Sequence, residues 1–334
     1  MLRFWRVIAG IAAAVLVLLG IASPVEGSRF AGSGPTVSTM SRRWASTSPF
    51  NRPLPLNLPV VPQSAAWVAA LAAQAYAGLY VNSQYWSTPV YHANGSTPRS
   101  SFYIGNRRRS LVLPFNPAWK PDQTSDASIA IVDDRTGCLY EMSLVNASAH
   151  TANAEATFDV VKGSGVHVPL GVSGGGFAFT AGQIRPEDVA SGVIRHALRL
   201  ATPMNSSQHV FPATSSDGGH PGGIPEGALV RLDPRLDLSQ YGLDPFQRMV
   251  ARALKTYGAY NADNSGSLTL AAQNPLDGSS YPYSLSALPR ELVPYLQFVR
   301  PPATPVQLER SGGVACRVQP AAPHRKAPPK SRPK

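Results

Sequence analysis

The sequence is poor in charge and in cysteine: only 15% of its 334 residues are charged, and it contains two cysteines. A typical soluble domain has about 25% charged residues. Two cysteines without CxxC spacing exclude a cysteine-rich zinc or redox site. The motifs of nucleophile-elbow hydrolases, zinc proteases and P-loop phosphate binders are also absent. No apolar run beyond the first 30 residues is long enough to cross a membrane, which excludes a polytopic membrane protein.

No motif for a cofactor or a metal is found either. Asp263 begins a stretch that resembles a calcium loop. However, Gly266 occupies its fourth position where glycine is required at the sixth, and Asn274 occupies its twelfth position where glutamate is required. Gly174–Gly176 lacks the spacing of a dinucleotide-binding loop and is interpreted as a turn. We therefore expect neither a cofactor nor a bound metal.

Proline and glycine, in contrast, are abundant, with 32 and 28 residues. Their combined share of about 18% exceeds the usual value of about 12% but stays below the roughly 25–30% of a disordered chain. This composition predicts a folded protein made of many short elements joined by tight turns.

The first 28 residues are typical of a targeting segment. Arg3 and Arg6 precede an uncharged apolar run, Val7–Ala22, and the helix breaker Pro24 follows it. This order is that of a secretory signal peptide. The run is shorter than the roughly 20 residues of a membrane span, and an uncleaved N-terminal anchor is the alternative. We predict that residues 1–28 are a signal peptide or an anchor, and that the rest of the chain is secreted or held outside the membrane.

The opposite end of the chain is a basic tail. Residues 319–334 contain five basic residues and no acidic one, and they are rich in proline, so we predict disorder there. Without the tail and the N-terminal arginines, the formal charge of +11 falls to +4. The basic isoelectric point therefore does not indicate a nucleic-acid partner, and no nucleic-acid-binding motif is present. The tail is expected to make only weak contact with an anionic surface.

The cysteine count agrees with export. In an oxidising compartment two cysteines are expected to form a disulfide. A bond between Cys138 and Cys316 would fasten the C-terminal segment to the middle of the domain. Two buried thiols are the alternative.

Residues 29–47 form a predicted linker, and residues 48–318 form a single predicted β-rich domain. Short runs rich in valine, isoleucine, tyrosine and phenylalanine follow one another without alternating helices, which favours antiparallel sheets over a Rossmann-type fold. Ile129–Val132 and Leu139–Val145 flank a turn that contains aspartate and glycine, which is a strong hairpin signal. We predict a mainly β protein, an antiparallel β-sandwich of jelly-roll type.

Two helices are predicted to accompany this sheet. A short N-terminal helix is predicted over Ala65–Tyr76. The clearer signal comes later, where Asp244 is an N-cap and Pro245 takes the first helical position. Apolar residues then recur at helical spacing as far as Tyr257, and Gly258 ends the pattern. We expect this amphipathic helix to pack on the sheet.

A few ionisable residues lie within predicted strands. His196 shares one face of the run Val193–Ala201 with apolar residues, where it is either a core histidine or a base at the floor of a cleft. Glu141 and Asp159 also lie in apolar strands, where a carboxylate is unfavourable unless it is paired. Their candidate partners are Arg195, Arg199 and Lys255. Structural ion pairing and catalytic work both remain open for each residue.

Aromatic residues crowd two stretches of the chain. The first stretch contains Tyr76, Tyr80, Tyr85, Trp86 and Tyr91, and the second contains Tyr257, Tyr260, Tyr281 and Tyr283. Exposed aromatic rings on a β-rich protein stack well on sugar rings, and packing in the core explains these residues equally well.

Several segments of the chain resemble a family of secreted bacterial proteins that has no established activity. They are residues 46–55, 129–141, 158–160, 175–200 (with the run IRHALR), 229–234 and the most distinctive block, 238–266 (with ALKTYG and ADN). The family occurs in bacteria that secrete carbohydrate-active enzymes. The resemblance implies that the functional positions are Glu141, Asp159, His196, Lys255, Tyr257 and Asp263.

Together these features predict a secreted protein that acts on extracellular or cell-wall polysaccharide. As an enzyme it would be a glycoside hydrolase with Glu141 and Asp159 as the carboxylate pair, or a polysaccharide lyase with His196 or Tyr257 as the base. A non-catalytic glycan-binding module and a structural surface protein are the alternatives. The enzymatic hypothesis predicts that these side chains and Lys255 line one open groove.

Overall fold

The computed structural model describes residues 43–74, 78–168, 172–303, 306 and 308–309. The predicted signal segment, most of the predicted linker, the predicted tail and Cys316 lie outside these described residues. Cys138 is buried at the start of a strand, and its disulfide with Cys316 stays a prediction. The described residues belong to one compact unit of the chain.

Strands dominate the described residues. Three α-helices and fifteen strands follow one another in the order α1 Ser64–Ala72, β1 Tyr80–Asn82, β2 Val90–Ala93, β3 Arg99–Ile104, β4 Arg109–Pro114, β5 Ile129–Asp133, β6 Cys138–Ser143, β7 Thr151–Ala152, β8 Ala154–Asp159, α2 Pro186–Ser191, β9 Leu198–Thr202, β10 Asn205–His209, β11 Ile224–Glu226, β12 Leu229–Leu232, α3 Pro245–Thr256, β13 Ala259–Asn264, β14 Thr269–Ala271 and β15 Leu296–Val299. The prediction of a mainly β protein is confirmed.

The strands form three mixed sheets and one parallel pair. The six-stranded sheet has the order β1-β14-β9-β13-β12-β15, the four-stranded sheet β2-β5-β6-β8 and the three-stranded sheet β4-β3-β7, while β10 pairs with β11. Five of the eleven pairings between described strands are parallel. The predicted antiparallel β-sandwich is therefore not confirmed. A parallel pair such as β9 and β13 needs a long connection, here one that includes α3, and strand spacing along the chain does not reveal such pairings.

Helix α3 packs on one face of the six-stranded sheet, as predicted. Gln247 N donates to Asp244 Oδ1 at 2.8 Å, and Asp244 N donates to Gln247 Oε1 at 3.0 Å. This reciprocal pair satisfies two backbone donors at the start of the helix. The apolar stripe of α3 shares one core with residues of β9, β12, β14 and β15.

Two further apolar cores lie on the two faces of the four-stranded sheet. The first joins this sheet to the six-stranded sheet and includes Val132 and Phe158 from the former, with Leu229 and Tyr260 from the latter. The second joins the opposite face of the four-stranded sheet to β3 and β4. Side chains alternate between the two cores along β5, as the period of a strand requires.

The predicted bounds of helices and strands agree with the structure where a turn or a capping residue marks the end of the element. The predicted hairpin is confirmed, because β5 and β6 pair antiparallel around Asp134–Gly137. Helix α1 ends at Ala72, earlier than predicted. The predicted strand Val193–Ala201 is wrong in its first half, since β9 begins only at Leu198 and His196 precedes it. Among the described residues no helix combines the length and the apolar character that a membrane span requires.

Candidate functional site

Glu141 is a completely buried structural carboxylate. It projects from β6 with an exposed fraction of 0%. Its Oε2 accepts a hydrogen bond from Phe179 N at 2.6 Å, and its Oε1 accepts from Thr180 N at 2.9 Å and from Thr180 Oγ1 at 2.8 Å. Burial raises the pKa of this carboxyl group, and these donors oppose the rise. The side chain therefore fixes the loop at Phe179 and Thr180.

Asp159 shapes a turn at the end of β8. Its Oδ1 accepts hydrogen bonds from Val161 N and Lys162 N, both at 2.9 Å. The backbone N–H of Asp159 donates to Glu309 Oε2 at 2.8 Å. These contacts account for an aspartate at this position without a substrate.

His196 belongs to a buried ion cluster with helix α2. Its Nε2 lies 3.1 Å from Asp188 Oδ2, and Arg185 binds both oxygens of the same carboxylate. Burial of Asp188 favours its neutral form, but His196 and Arg185 outweigh burial and hold the pKa of Asp188 well below its usual range. His196 therefore ties the segment before β9 to α2.

Lys255 and Tyr257 lie at the C-terminal end of α3. Lys255 Nζ donates to Leu236 O at 2.6 Å. Tyr257 is half-buried and packs against the core between the two larger sheets. Neither side chain reaches Glu141, Asp159 or His196 in any contact among the described residues.

The predicted convergence of these candidates is therefore not found. Glu141, Asp159, His196 and Lys255 lie in four separate settings, and Tyr257 packs half-buried against the core. The enzymatic hypothesis built on these side chains loses its geometric basis. Of the six candidate positions, only Asp263 lines a large open cleft that lies between the sheets and several loops.

That cleft has a volume of about 910 Å³ and a mixed polar and apolar wall. It is lined by residues of β1, β6, β9, β13 and β14 and by several loops, namely by Asn82, Tyr85, Trp86, Asp126, Ser143, Leu144, Val172, Gly174, Phe179, Arg199, Ala201, Asp217, Asp263, Asn264, Ser265, Gly266, Ser267, Thr269 and Ala271. Its size lies within the range of about 300–1,000 Å³ that is usual for ligand pockets.

A bulge in β13 places Asp263 in this cleft. Parallel strands β9 and β13 pair Leu200 with Asn261, but the next pair is Ala201 with Asp263. One extra residue in β13 reverses the alternation of its side chains. Asp263 therefore lies on the same face as Arg199, and Arg199 Nη2 lies 2.6 Å from Asp263 Oδ2.

Three carboxylates meet beside this point. Oxygen atoms of Asp217, Glu226 and Asp263 all lie within 4.8 Å of one another, and we call these residues the acidic trio. Asp217 is exposed, Asp263 is half-buried and Glu226 is completely buried. Asp217 and Asp263 line the cleft, while Glu226 lies behind them.

Two glycines allow the acidic trio to assemble. Gly227, which follows Glu226, has a positive φ of 87°, and a Cβ on it would collide with Val210 O. At Gly174 a Cβ would lie only 2.5 Å from Asp217 Oδ1. Glycine is therefore required for the close approach at both places.

Asn205 holds the buried member of the acidic trio. Its Nδ2 donates to Glu226 Oε1 at 3.0 Å and to Asp263 O at 2.7 Å. Its Oδ1 accepts from Asn261 Nδ2 at 2.9 Å and from Thr202 Oγ1. All the hydrogen-bonding capacity of this amide is thus used, and Glu226 is held in one orientation.

The charges of the acidic trio are not balanced. Burial, and then the adjacent carboxylate of Asp217, raise the pKa of Glu226 to about 8. Burial also raises the pKa of Asp263 to about 6, although Arg199 opposes the rise. Glu226 Oε2 is buried and accepts no hydrogen bond. The acidic trio therefore has one positive partner, Arg199, for its three carboxyl groups, and one buried oxygen of Glu226 has no donor.

Two aromatic side chains stand at the edge of the cleft. Tyr85 and Trp86 are 63% and 60% exposed, and their ring centroids are 6.4 Å apart. Trp86 has a φ of 49°, which is uncommon for a bulky residue. Of the other aromatics predicted as sugar contacts, Tyr91 and Tyr260 are buried, and Tyr76 lies outside the described residues.

Two of the three carboxylates could not be identified from the sequence. Asp217 lies in a loop without any motif, and Glu226 lies between Pro225 and Gly227 at the end of a short strand. The one available signal was a glutamate flanked by proline and glycine, a position that ordinary strand packing does not favour.

Comparisons with protein-family models, with curated proteins and with solved structures found no match to this chain.

Proposed function

We propose that the cleft binds an extracellular or cell-wall glycan. The observation that supports this proposal most directly is the pair of exposed rings, Tyr85 and Trp86, at the edge of a cleft with a polar wall. Aromatic rings offer flat apolar surfaces to the C–H faces of sugars while their polar atoms stay in water. Neighbouring exposed apolar side chains at the edge of a cleft are typical of a ligand-binding surface.

The polar wall complements the aromatic edge. Asn82, Asn264 and Arg199 provide hydrogen-bond donors, and Asp217 provides acceptors for sugar hydroxyls. Such a combination of an apolar platform with a few fixed polar groups is typical of small-ligand sites. The predicted signal peptide supports an extracellular ligand, and secretion remains part of the proposal.

Binding of the secreted chain to a panel of cell-wall and extracellular polysaccharides, measured by affinity electrophoresis, tests this proposal. We expect Trp86→Ala to weaken binding about tenfold, which corresponds to about 1.4 kcal/mol. Tyr103→Ala is the matched control, because Tyr103 is 48% exposed on β3 and does not line the cleft. Equal retardation of both variants and the wild type would contradict the proposal, and a chain that binds no polymer would favour a structural role.

Hydrolysis of the bound glycan is the second candidate function. It is favoured by the proximity of two carboxylates on the cleft wall, since Asp217 and Asp263 offer oxygens within 4.8 Å of each other and glycosidases use a pair of neighbouring carboxylates. New reducing ends should then appear with every polysaccharide that binds, and Asp217→Asn should abolish them. A polymer that is bound but left intact would refute this second candidate alone.

A further inference from the structure

We propose that the acidic trio of Asp217, Glu226 and Asp263 is a binding site for a divalent cation, best suited to calcium. This inference goes beyond glycan binding and does not depend on it. It rests on the donor atoms, on their charge and on one buried oxygen that has no partner.

The donor set fits a hard cation. All three side chains offer carboxylate oxygens, which calcium binds at about 2.3–2.6 Å. Oxygens that bind one such ion lie at most about 5 Å apart, and the oxygens of the acidic trio lie within 4.8 Å of one another. No histidine or cysteine takes part in this group, so the nitrogen and sulfur ligands that zinc prefers are missing.

The charge of the group also fits a divalent ion. When all three carboxyl groups are ionised, as the binding of a cation requires, they face one positive partner, Arg199, which binds Asp263. Two negative charges are then left in excess at one place. A divalent cation would compensate both.

Glu226 gives an observation that is independent of the clustering. Its side chain is completely buried, and Asn205 donates a hydrogen bond only to Oε1. Oε2 has no hydrogen-bond donor, although a buried carboxylate oxygen without a partner is strongly unfavourable. A cation placed between Glu226, Asp217 and Asp263 would give this oxygen its missing partner.

The position of the site links it to the cleft. Asp217 and Asp263 line the cleft wall, so an ion held by the acidic trio borders the space available to a ligand. Calcium takes six to eight oxygen ligands, and three carboxylates leave positions for water or for hydroxyl groups of a ligand.

Isothermal titration calorimetry of the full secreted chain, first treated with EDTA and then freed of it, tests the site with CaCl₂ alone. We expect one ion per chain, with a Kd of about 10⁻⁴–10⁻³ M, as in other extracellular calcium modules. Glu226→Gln should weaken binding at least about tenfold. Glu291→Gln is the matched control, because it removes the same charge from an exposed glutamate that does not line the cleft.

Asp217→Asn repeats the test at an exposed position, where a failure to fold is not a concern. It should weaken calcium binding as Glu226→Gln does. MgCl₂ should bind more weakly than CaCl₂, because magnesium demands octahedral geometry and keeps its water. Absence of heat with folded wild-type protein at about 10 mM CaCl₂, well above the expected Kd, would overturn the site. Equal binding by the wild type and both acidic-trio variants would also overturn it.

Glycan binding is measured separately, in EDTA and in CaCl₂. A chain that binds calcium but no polysaccharide overturns the proposed function and supports the cation site. A chain that binds polysaccharide equally in both buffers and gives no heat with CaCl₂ overturns the cation site alone.

Discussion

Glu141 and Glu226 are both completely buried glutamates, yet their surroundings differ sharply. Three donors from Phe179 and Thr180 serve the two oxygens of Glu141. Glu226 receives one hydrogen bond, from Asn205, and its other oxygen lies near further carboxylates. Burial alone therefore does not indicate function.

The difference lies in what each carboxylate still lacks. A buried acid with a full set of donors stabilises the fold and has no capacity left for a ligand. A buried acid with an oxygen that accepts no hydrogen bond costs free energy, which a bound cation would recover. Glu141 and the cluster around Asp188 belong to the first kind, and the acidic trio belongs to the second.

The sharpest test of this comparison is Glu141→Gln. We expect it to lower the free energy of unfolding by about 2–3 kcal/mol, because one amide N–H would then face a backbone N–H donor. The midpoint of urea unfolding measures the change. Glu291→Gln should leave the midpoint in place. An unchanged midpoint for Glu141→Gln would show that the three donors do not stabilise the fold.

The ion cluster of Asp188 predicts a loss of stability in acid. The pKa of Asp188 is lowered in the folded protein by His196 and Arg185. Its contribution to the free energy of unfolding is therefore fully present above about pH 4, the pKa of aspartate in the unfolded chain, and is lost progressively as the pH falls below that value. Asp188→Asn should cost about 1–2 kcal/mol at neutral pH. The variant and the wild type should then converge in stability as the pH falls below about 4.

Urea unfolding between neutral pH and about pH 3 checks this convergence. Glu291→Gln is a suitable control, since Glu291 is exposed and is not part of this ion cluster. A constant difference between Asp188→Asn and the wild type over the whole range would contradict the assignment.

Glu226→Gln should act in the opposite direction to Glu141→Gln. In protein freed of divalent ions, the new amide N–H can donate to the carboxylate of Asp217, while Oε1 keeps its bond from Asn205. We expect the free energy of unfolding to rise by about 0.5–1 kcal/mol. Added CaCl₂ should stabilise the wild type but not this variant. A loss of stability as large as that of Glu141→Gln would remove the distinction between the two glutamates.

Sequence reasoning succeeded where the signal was local. The capping residues and apolar repeat of α3 and the turn between β5 and β6 lie within short windows, and both predictions are confirmed. The unfavourable placement of Glu141 in an apolar run correctly demanded a partner. Its hydrogen-bond donors come from Phe179 and Thr180, however, and not from the predicted Arg195, Arg199 and Lys255.

The acidic trio could not be predicted, for a different reason. Asp263 reaches the cleft only because one extra residue in β13 reverses the alternation of the strand. Glu226 and Asp217 come close to it through parallel pairing and loop packing over long distances in the chain. Such contacts depend on register, and a shift of one residue would send the same side chains to the opposite face.

Gly174→Ala tests the finest feature of the comparison, the close approach that lets Asp217 complete the acidic trio. The new Cβ would lie only 2.5 Å from Asp217 Oδ1, so the carboxylate must move, while the exposed position of Asp217 keeps the cost in stability below about 0.5 kcal/mol. Gly219→Ala is the matched control, because a Cβ there meets no atom within 4 Å. Calorimetry with CaCl₂ should show weaker binding for Gly174→Ala and unchanged binding for Gly219→Ala. Wild-type affinity for calcium in both variants would mean that the position of Asp217 does not matter for binding. Glu141 and Glu226 would then differ only in the number of hydrogen bonds that each accepts.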